Sequence, residues 1–550
     1  MEPRQVRTAA DARRILQERG LRHVKVGVHD IDGILRGKYL HIDKFSGALD
    51  GGMGFCDVVL GWDSGDQCYD NAQVTGWQHG FPDVLARLDL DTGRTVPWDH
   101  DVPFFLGEFV NADGSPYAVC PRQTLKRVLQ RARKLGFDVM TGMEFEWFNF
   151  RETPHSWAEK KGVPPEPITP GMFGYSLLRM ADNPGFFNAL MDEMLAFNVP
   201  IEGLHTEIGP GVYEAAIAFS PALEQADRAI LFKTGAREIG KRFGIMPSFM
   251  AKWNAQLPGC SGHIHQSLSD GKANLFYDEK TPRRMSALFE SYLAGQVACM
   301  MEFGPLLWPT INSYKRLVDG FWAPVKPTWG MDNRTASFRV LAGSPKATRL
   351  ETRCPGSDVN PYLAMAAVIA AGMHGVEKGL KLTTPPITGT NQGGENVPRA
   401  PRTLIETTRI FRQSDGSYIA DARANLDDVM LVVGPEFEIG DEVAKEVDTL
   451  AGYIATRIGR VPVRGELVPG PGRLEIEVLD ADPRRVKKLK IFVSHDIARL
   501  NRDPQRRVMA SGQPPPPTNA AQAQPELPVN RDASVKLSPD DPPSKAPRKP

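Results

Sequence analysis

The sequence predicts an α+β protein built from a small β-rich domain, a larger sheet domain and a compact C-terminal unit. Short apolar segments that alternate with polar residues recur along the chain, and this pattern is typical of half-buried strands. Amphipathic segments bounded by proline and glycine lie between them and predict helices. The end of the chain is rich in proline and poor in large apolar residues, which predicts a linker and a disordered tail over 496–550.

Bulk composition excludes several classes of protein. The 550 residues contain 66 Lys and Arg against 66 Asp and Glu, so no overall basic charge indicates a nucleic-acid partner. The six cysteines form no CxxC pair, which favours reduced thiols over a disulfide framework or a zinc site. There is no secretory signal core and no uncharged apolar run of about 18 residues. We therefore expect a cytoplasmic protein without a membrane span.

The first domain follows a short charged helix over 1–20. The segments HVKVGVHD and ILRGKYLHI alternate in polarity and are joined by the turn DIDG, which predicts a hairpin. We interpret the Gly- and Asp-rich stretch after them as loops that lead to a strand in VPFFLGEFV. These features predict a β-rich domain over 21–112.

The second domain, over 113–413, begins with an amphipathic helix that starts at Pro121. The alternation in FDVMTGMEFEWFNF predicts a long strand. Further strands are predicted in PIEGLHTEI, GVYEAAIAF, MPSFMAKW and HIHQSL, and further helices over 222–242, 284–302 and 360–379. The composition then changes, and a compact α+β unit is predicted over 414–495.

Two glutamates in MEFEWF form the first candidate site. Residues at i and i+2 of a strand point to the same face, so Glu144 and Glu146 lie side by side. Their carboxylates repel each other unless cations lie between them, which suggests a metal site. The alternative is the solvent-exposed face of an amphipathic strand, where glutamates are common.

Three further segments carry groups that bind metals. Glu207 and Glu214 flank a Gly-Pro-Gly bend that can return both carboxylates to one point, although a surface hairpin is the alternative. His263 and His265 share one face of a strand, where a structural role is the alternative. Glu351 in RLETRCPG adds another carboxylate. Carboxylates with an imidazole suit hard divalent cations.

Four arginines accompany these groups. Arg316, Arg334, Arg339 and Arg353 offer planar donors that suit phosphate and carboxylate oxygens, although exposed loop charges are the alternative. The chain has no P-loop, no dinucleotide-binding glycine motif and no nucleophile elbow. Together the carboxylates, histidines and arginines predict phosphoryl transfer from a metal-bound nucleotide to an acidic substrate.

In that order and spacing, residues of about 20–413 resemble the glutamine synthetase family. The resemblance is carried by NSYKRL with GF and APV after it, by NRTASFR, and by RLETRCP followed by NPYLAMAA. It implies an N-terminal β-grasp domain and a catalytic domain with an antiparallel sheet backed by helices. It also implies a homo-oligomeric ring and an ATP-dependent ligase that joins glutamate to ammonia or an amine through γ-glutamyl phosphate.

The resemblance also assigns roles to single residues. It implies two or three Mg²⁺ or Mn²⁺ ions per site, held by Glu144, His263 and Glu351 and by Glu146, Glu207 and Glu214. The positions that contact ATP are His265, Ser267 and Arg339. The substrate-binding positions are Arg316, Arg353 and Gly259. Arg334 matches the catalytic arginine that steadies the transferring phosphoryl group.

Three departures from the family pattern concern the amine. Trp322 in GFWAP replaces the flap glutamate that receives the ammonium proton, and Pro258 replaces the asparagine before Gly259. The N-terminal element that helps to bind ammonium reads GFCDVVLGWD. A site without its ammonium carboxylates should prefer a larger, less polar amine, a group that includes polyamines, or a different acid.

The segment 414–495 resembles the transporter-associated domain of the CorC/HlyC group, on DGSYIADARANLDDV, DTLAGYIATRIGRVPVRGE and LEIEVLDADPRRVKKLKI. We assign it no transport role, because no membrane segment accompanies it. A natural fusion or the joining of two reading frames would place both patterns in one chain. Two alternatives to the ligase are a non-catalytic scaffold or sensor with a regulatory C-terminal unit, and an ATP-guanido phosphotransferase.

Overall fold

The computed structural model describes residues 2–69, 72–390, 399–401, 410–413, 415–439 and 447–493. Three sheets divide this part of the chain, each with helices packed against it, so the predicted α+β class is confirmed. The proline-rich tail that was predicted to be disordered lies outside the described residues. Within them, no helix is both long enough and apolar enough to cross a membrane.

The first sheet is mixed and five-stranded. Its spatial order is β2-β1-β5-β4-β3, with β1 parallel to β5 and the other neighbours antiparallel. The strands are β1 (His23–His29), β2 (Leu35–His41), β3 (Met53–Cys56), β4 (Asp83–Val96) and β5 (Val102–Val110). The helices α1 (Ala9–Glu18) and α2 (Ile42–Gly51) contribute Ile15 and Phe45 to its core.

The predicted hairpin and the strand at β5 are confirmed, but the prediction of loops between them was wrong. That stretch contains β3 and the long strand β4. Asp89, Asp91 and Gly93 disfavour a strand locally. Pairing with β5 on both sides of this stretch, over Leu85–Asp89 and Arg94–Val96, overrides this preference, and the ladder is irregular between Asp89 and Arg94.

The second sheet forms the body of the protein. It has eight strands in the order β11-β12-β13-β10-β6-β8-β7, with β9 paired to one end of β6, and only β11 and β12 are parallel among its described pairs. The strands are β6 (Asp138–Phe150), β7 (Ile201–Thr206), β8 (Val212–Pro221), β9 (Met246–Ser248), β10 (Gly262–Ser269), β11 (Trp329–Met331), β12 (Phe338–Leu341) and β13 (Arg349–Thr352).

Helices accompany these strands along the chain. They are α3 (Pro121–Lys134), α4 (Pro154–Glu159), α5 (Leu177–Met180), α6 (Pro184–Ala196), α7 (Ala222–Arg242), α8 (Ala287–Leu307), α9 (Ile311–Arg316) and α10 (Pro361–Lys378). The predicted helices agree with α3, α7, α8 and α10 within a few residues. The strand predicted in MPSFMAKW is short, because the chain leaves the sheet after Ser248 and Asn312 instead fixes the backbone of Lys252.

In its described residues, the C-terminal unit is a separate sheet with two helices. Its strands are β14 (Ile410–Arg412), β15 (Tyr418–Asp421), β16 (Leu467–Pro469), β17 (Leu474–Asp482) and β18 (Arg485–Val493), in the order β14-β15-β18-β17-β16. The helices span Leu426–Val433 and Leu450–Ile458. Apolar side chains of both layers form one core, so the predicted compact α+β unit is confirmed.

A buried network of charges joins the first sheet to the domain of the second sheet. Asp227 of α7 accepts two hydrogen bonds of 3.0 Å from the Arg122 guanidinium and one of 2.5 Å from the Tyr362 hydroxyl. Arg122 also donates to Glu108 of β5 at 2.7 Å. The Tyr362 oxygen lies 3.1 Å from Nε2 of His29 in β1, from which it can accept a hydrogen bond. The buried charges are therefore compensated across the two domains.

Asn360 makes a second connection between the same domains. Its side-chain oxygen accepts from the backbone N–H of Tyr362 and so caps α10. Its amide nitrogen donates to the carbonyls of Asp30 and Ile31 in the turn between β1 and β2. Gly33 is required in that turn, because its φ is +77° and an added Cβ would lie 2.9 Å from Cα of Asn360.

We expect stability to fall as pH decreases from about 6.5 to about 3 because of His29. Burial lowers the pKa of this imidazole from 6.5 to about 3, although Asp227 raises it in part. The unfolded chain therefore binds a proton in this window and the folded protein does not, so up to about 1.4 kcal/mol is lost per pH unit. Urea unfolding at pH 7 and pH 5 measures the loss. The His29→Gln variant should lose less, and an equal loss in both proteins would contradict the assignment.

Candidate active site

The candidate site begins with the outer face of β6. Met143, Phe145 and Trp147 point into the core, so the alternate residues Glu144 and Glu146 point to the other face. The strand register places His263 of β10 opposite Glu144. It also places Glu214 of β8 opposite Glu146. Backbone pairing thus brings His263 and Glu214 beside the two predicted glutamates of β6.

A second row of side chains crosses the neighbouring strands. Glu351 of β13 lies opposite His265 of β10 on one side and opposite Arg339 of β12 on the other. His265 Nε2 lies 3.1 Å from one oxygen of Glu144, and His263 Nδ1 lies 3.2 Å from the other. His263 Nδ1 is also 3.7 Å from Glu351. The side chains of residues 144, 263 and 351 therefore converge, as the sequence predicts.

The bend between β7 and β8 brings the remaining carboxylates into the same place. Gly211 has a φ of +67° and an added Cβ would lie 2.5 Å from the carbonyl of Asn149, so the bend requires glycine. His205 lies between the two carboxylates, with Nε2 3.2 Å from Glu214 and Nδ1 3.7 Å from Glu207. Sequence analysis missed His205, although its i, i+2 spacing to Glu207 was a signal of the same kind as that of His263 and His265.

The buried carboxylate of Glu351 is compensated by two arginines. One oxygen accepts a hydrogen bond from Arg339 at 2.8 Å, and the other accepts one from Arg353. Arg339 is also bound by Asp332 at 2.6 Å. Burial raises the pKa of Glu351, but Arg353 and both histidines outweigh it and lower this pKa to about 2. A cation bound to Glu351 would compete with these guanidinium groups.

Other pKa shifts reflect the crowding of carboxylates. Burial and the charges of Glu146 and Glu214 raise the pKa of Glu207. Burial lowers the pKa of His205, but hydrogen bonding to Glu214 and its charge outweigh this and raise it to about 9. Burial would also raise the pKa of Glu144, yet His265 and His263 hold it well below its usual range. The site carries negative charge that protons or cations must offset.

One cavity of about 390 Å³ connects these groups. Every predicted site residue lines it except Arg316 and Ser267. Ser267 lines an adjoining cavity that shares Glu144, His265 and Arg349 with the first. Arg349 was missed by sequence analysis, and its guanidinium donates to His265 Nδ1 at 3.0 Å.

Arg316 lies behind the cavity wall rather than in it. It is 1% exposed, and it donates to the carbonyls of Cys354 and Arg353 and to the Ser261 hydroxyl at 3.0–3.2 Å. Gly259 lines the cavity directly in front, and an added Cβ there would lie 2.9 Å from Cγ of Arg316. In this structure Arg316 supports the loop that carries Gly259.

The segment after α9 contributes two aromatic residues to the cavity. Phe321 and Trp322 both line it, and Trp322 is 55% exposed. Trp322 has a φ of +60°, a conformation that is strained for a bulky residue. Lys252 lies beside Phe321, with Nζ 4.3 Å from the ring centroid; this ammonium is buried and has no hydrogen-bond partner within the described chain.

The donor set fits divalent cations. Three groups of side chains have ligand atoms within 4.8 Å of one another: Glu144, His265 and Glu351; Glu144, Glu214 and His263; and His205, Glu207 and Glu214. The buried Nε2 of His263 has no hydrogen-bond partner in the described residues, as expected of an unused ligand atom. These groups differ from the predicted ligand sets in two ways. They include His205 and His265, and they lack Glu146, whose carboxylate accepts a hydrogen bond from the Ser261 N–H at 2.6 Å.

Comparison with known proteins agrees with this architecture. Residues 118–422 match the family model of the glutamine synthetase catalytic domain, and residues 411–495 match that of the transporter associated domain. The chain is similar to type-1 glutamine synthetase 2 of Dictyostelium discoideum, at 54% identity over 71% of this chain and 76% of that protein. It is 33% identical to the glutamate–isopropylamine ligase of a Pseudomonas species, over 73% of this chain and 88% of that protein.

A solved structure of a GmaS/ADP complex superposes with a TM-score of 0.62 at 25% identity, covering 72% of this chain and 88% of that chain. The family match spans more than half of the chain, and both relatives align over most of their length. The resemblances read from the sequence are confirmed for both segments. This chain belongs to the glutamine synthetase family and carries a CorC/HlyC-type domain at its C-terminus.

Proposed function

We propose that the chain is an ATP-dependent ligase that joins glutamate to ammonia or an amine through γ-glutamyl phosphate. The observation that supports this proposal is the convergence of six predicted metal ligands and three arginines in one cavity. The adjoining cavity, which contains Ser267, offers room for a nucleotide beside them. The two cavities meet at Glu144 and His265, where the phosphoryl group would pass.

The proposed ligands of two or three Mg²⁺ or Mn²⁺ ions are the predicted six residues, joined by His205. One set is Glu144, His263 and Glu351, and the other is Glu146, Glu207 and Glu214, with His205 beside the last two. Such ions supply positive charge that offsets the repulsion between phosphate and carboxylate oxygens. We assign His265, Ser267 and Arg339 to the nucleotide, Arg353 and Gly259 to glutamate, and Arg334 to the transferring phosphoryl group. Arg316, a predicted substrate ligand, would act on glutamate through the Gly259 loop.

The proposed reaction consists of two nucleophilic displacements. A γ-carboxylate oxygen of glutamate attacks the terminal phosphorus of ATP, and the bond from that phosphorus to ADP breaks. The amine nitrogen then attacks the acyl carbon, the bond from that carbon to phosphate breaks, and the nitrogen loses one proton to phosphate or water. Arg334 would hold the phosphoryl oxygens during the first step, and positioning supplies much of the rate.

The acceptor is the open part of this proposal. Trp322 stands where a carboxylate would receive the proton of ammonium, which favours an amine larger than ammonia. The named relatives span both kinds of acceptor, since one is a glutamine synthetase and the other an isopropylamine ligase. Polyamines and simple alkylamines are therefore both candidate acceptors.

We further propose domain limits and an assembly. The three sheets support domains over 21–112, 113–413 and 414–495, after an N-terminal helical segment over 1–20. Membership of the family supports a homo-oligomeric ring in the cytoplasm.

Phosphate release by the purified full chain tests the proposed activity. We expect release that requires Mg²⁺, ATP, glutamate and one of ammonium, putrescine, methylamine or ethanolamine, each supplied separately. Omitting glutamate is the control for simple ATP hydrolysis. Release with none of these amines, together with no trapping of an acyl phosphate by hydroxylamine, would favour the non-catalytic scaffold instead.

A further inference from the structure

We infer that the acceptor is a monoamine whose substituent is uncharged and apolar, rather than a diamine, a polyamine or ammonium. The inference rests on the proposed ligase activity and narrows the acceptor of the same site. It follows from the polarity and charge of the residues that line the cavity.

The nucleotide side of the site is fixed by the adjoining cavity with Ser267. Among the residues that line the first cavity but not the adjoining one are Tyr175, Ile208, Phe321 and Trp322, and we place the amine against them. Three of these side chains are aromatic and one is aliphatic. Such a wall stabilises an apolar substituent by removing its surface from water, and it offers ammonium itself no carboxylate.

Two of the aromatic residues are held in strained backbone conformations. Trp322 has a φ of +60° and Tyr175 a φ of +58°. The Tyr175 N–H donates to the Thr206 carbonyl at 2.8 Å, and its ring lies 4.6 Å from the His205 ring, so this side chain is fixed at the cavity. Non-glycine residues persist in this region of φ when surrounding contacts enforce it, often at ligand-binding positions.

The charges of the site disfavour a second ammonium group on the acceptor. Each carboxylate in the described lining is one of the proposed metal ligands, so none remains to pair with a distal cation. Arg334 and Arg353 add positive charge to the lining of the same cavity. The ammonium of Lys252 lies 4.3 Å from the ring centroid of Phe321 and adds positive charge beside that ring. Like charges that lie close together in a partly buried site repel each other.

The chemistry of the second step places no demand on the substituent, so its surroundings in the cavity decide which substituent is accepted. A primary amine forms the new C–N bond while the C–O bond to phosphate breaks, and one proton leaves the nitrogen. The substituent takes no part in this exchange and remains at the cavity mouth. Its environment there is the aromatic wall, which fits an alkyl or aryl group.

Two amines of matched length, together with ammonium, test the inference. The full chain is supplied with Mg²⁺, ATP, glutamate and either n-butylamine, 1,4-diaminobutane or ammonium chloride, and kcat/KM is measured for each amine. We expect n-butylamine to exceed both others by at least about tenfold, since differences of this kind in a binding pocket are commonly worth that much. Formation of γ-glutamyl hydroxamate from hydroxylamine reports the acyl phosphate step independently of the acceptor.

Variants of Trp322 test whether this side chain sets the preference between the amines. Trp322→Glu should lower the ratio of n-butylamine to 1,4-diaminobutane by at least about tenfold, because a carboxylate would pair with the distal ammonium. Trp322→Phe should keep the preference. Trp157→Glu is the matched control, because Trp157 is 39% exposed on α4 and lies outside the cavity.

The outcomes separate the two proposals. Hydroxamate formation with equal or higher kcat/KM for 1,4-diaminobutane or ammonium would overturn this inference and leave the ligase activity in place. An unchanged ratio in Trp322→Glu would also overturn it. Absence of both hydroxamate and amide would overturn the proposed function, and this inference with it.

Discussion

Replacing Glu144 by glutamine should lower kcat for amide formation by about a thousandfold while leaving the fold intact. Glu144 lies within 3.2 Å of both His263 and His265, and it belongs to two of the three groups that can hold a cation. The substitution keeps the shape of the side chain and removes its charge. A bound cation contributes several kcal/mol to stabilising the transferred phosphoryl group, and each 1.36 kcal/mol is about tenfold in rate.

The measurement is phosphate release at saturating ATP and glutamate over a wide range of Mg²⁺ concentrations. A weakened site should also shift the dependence on Mg²⁺ to higher concentrations. Glu159→Gln is the control, because the Glu159 side chain is 69% exposed on α4 and does not line the cavity. Activity of Glu144→Gln within tenfold of the wild type at every Mg²⁺ concentration would contradict its role as a ligand.

Replacing Asp227 by alanine should lower the free energy of unfolding by about 3–5 kcal/mol. Asp227 is 1% exposed and binds the Arg122 guanidinium through two parallel hydrogen bonds. Without it, Arg122 keeps Glu108 but loses the partner of its Nε and Nη2 atoms, and the Tyr362 hydroxyl loses its acceptor. A buried charge that loses its partner costs far more than an exposed one.

Urea unfolding of the wild type and of Asp227→Ala measures this loss. Arg131→Ala is the control, because it removes a largely exposed ion pair with Glu377 and should cost no more than about 1 kcal/mol. The double variant Arg122→Met with Asp227→Leu should recover part of the stability, since apolar replacement removes both charges. Equal losses in Asp227→Ala and Arg131→Ala would show that the network does not connect the domains energetically.

Much of the catalytic face was predictable because strand alternation and family motifs agree there. The spacing of Glu144 and Glu146 predicts one face of a strand, and the structure confirms it. The motifs that carry Glu351 and Arg339 predict further members of the same site. Both lines of reasoning depend only on local sequence, and the residues concerned converge in one cavity.

Contacts that depend on strand register were not predictable in this way. His205 lies between Glu207 and Glu214 because β7 pairs with β8 in one particular register. Arg349 binds His265 only because β13 lies beside β10. The position of Arg316 behind Gly259 likewise depends on how α9 packs, which no local pattern reveals. The strand β4 was missed because its partner β5, rather than its own composition, makes it a strand.

The cap formed by Asn360 has a consequence for biosynthesis. Asn360 and its hydrogen-bond partner Asp30 are separated by 330 positions in the chain. At roughly 5–20 residues per second, the ribosome delivers Asn360 about 15–70 s after the turn that it anchors. The N-terminal domain is therefore translated first but completed late. A nascent chain that ends before Asn360 lacks both hydrogen bonds that this side chain donates to the turn.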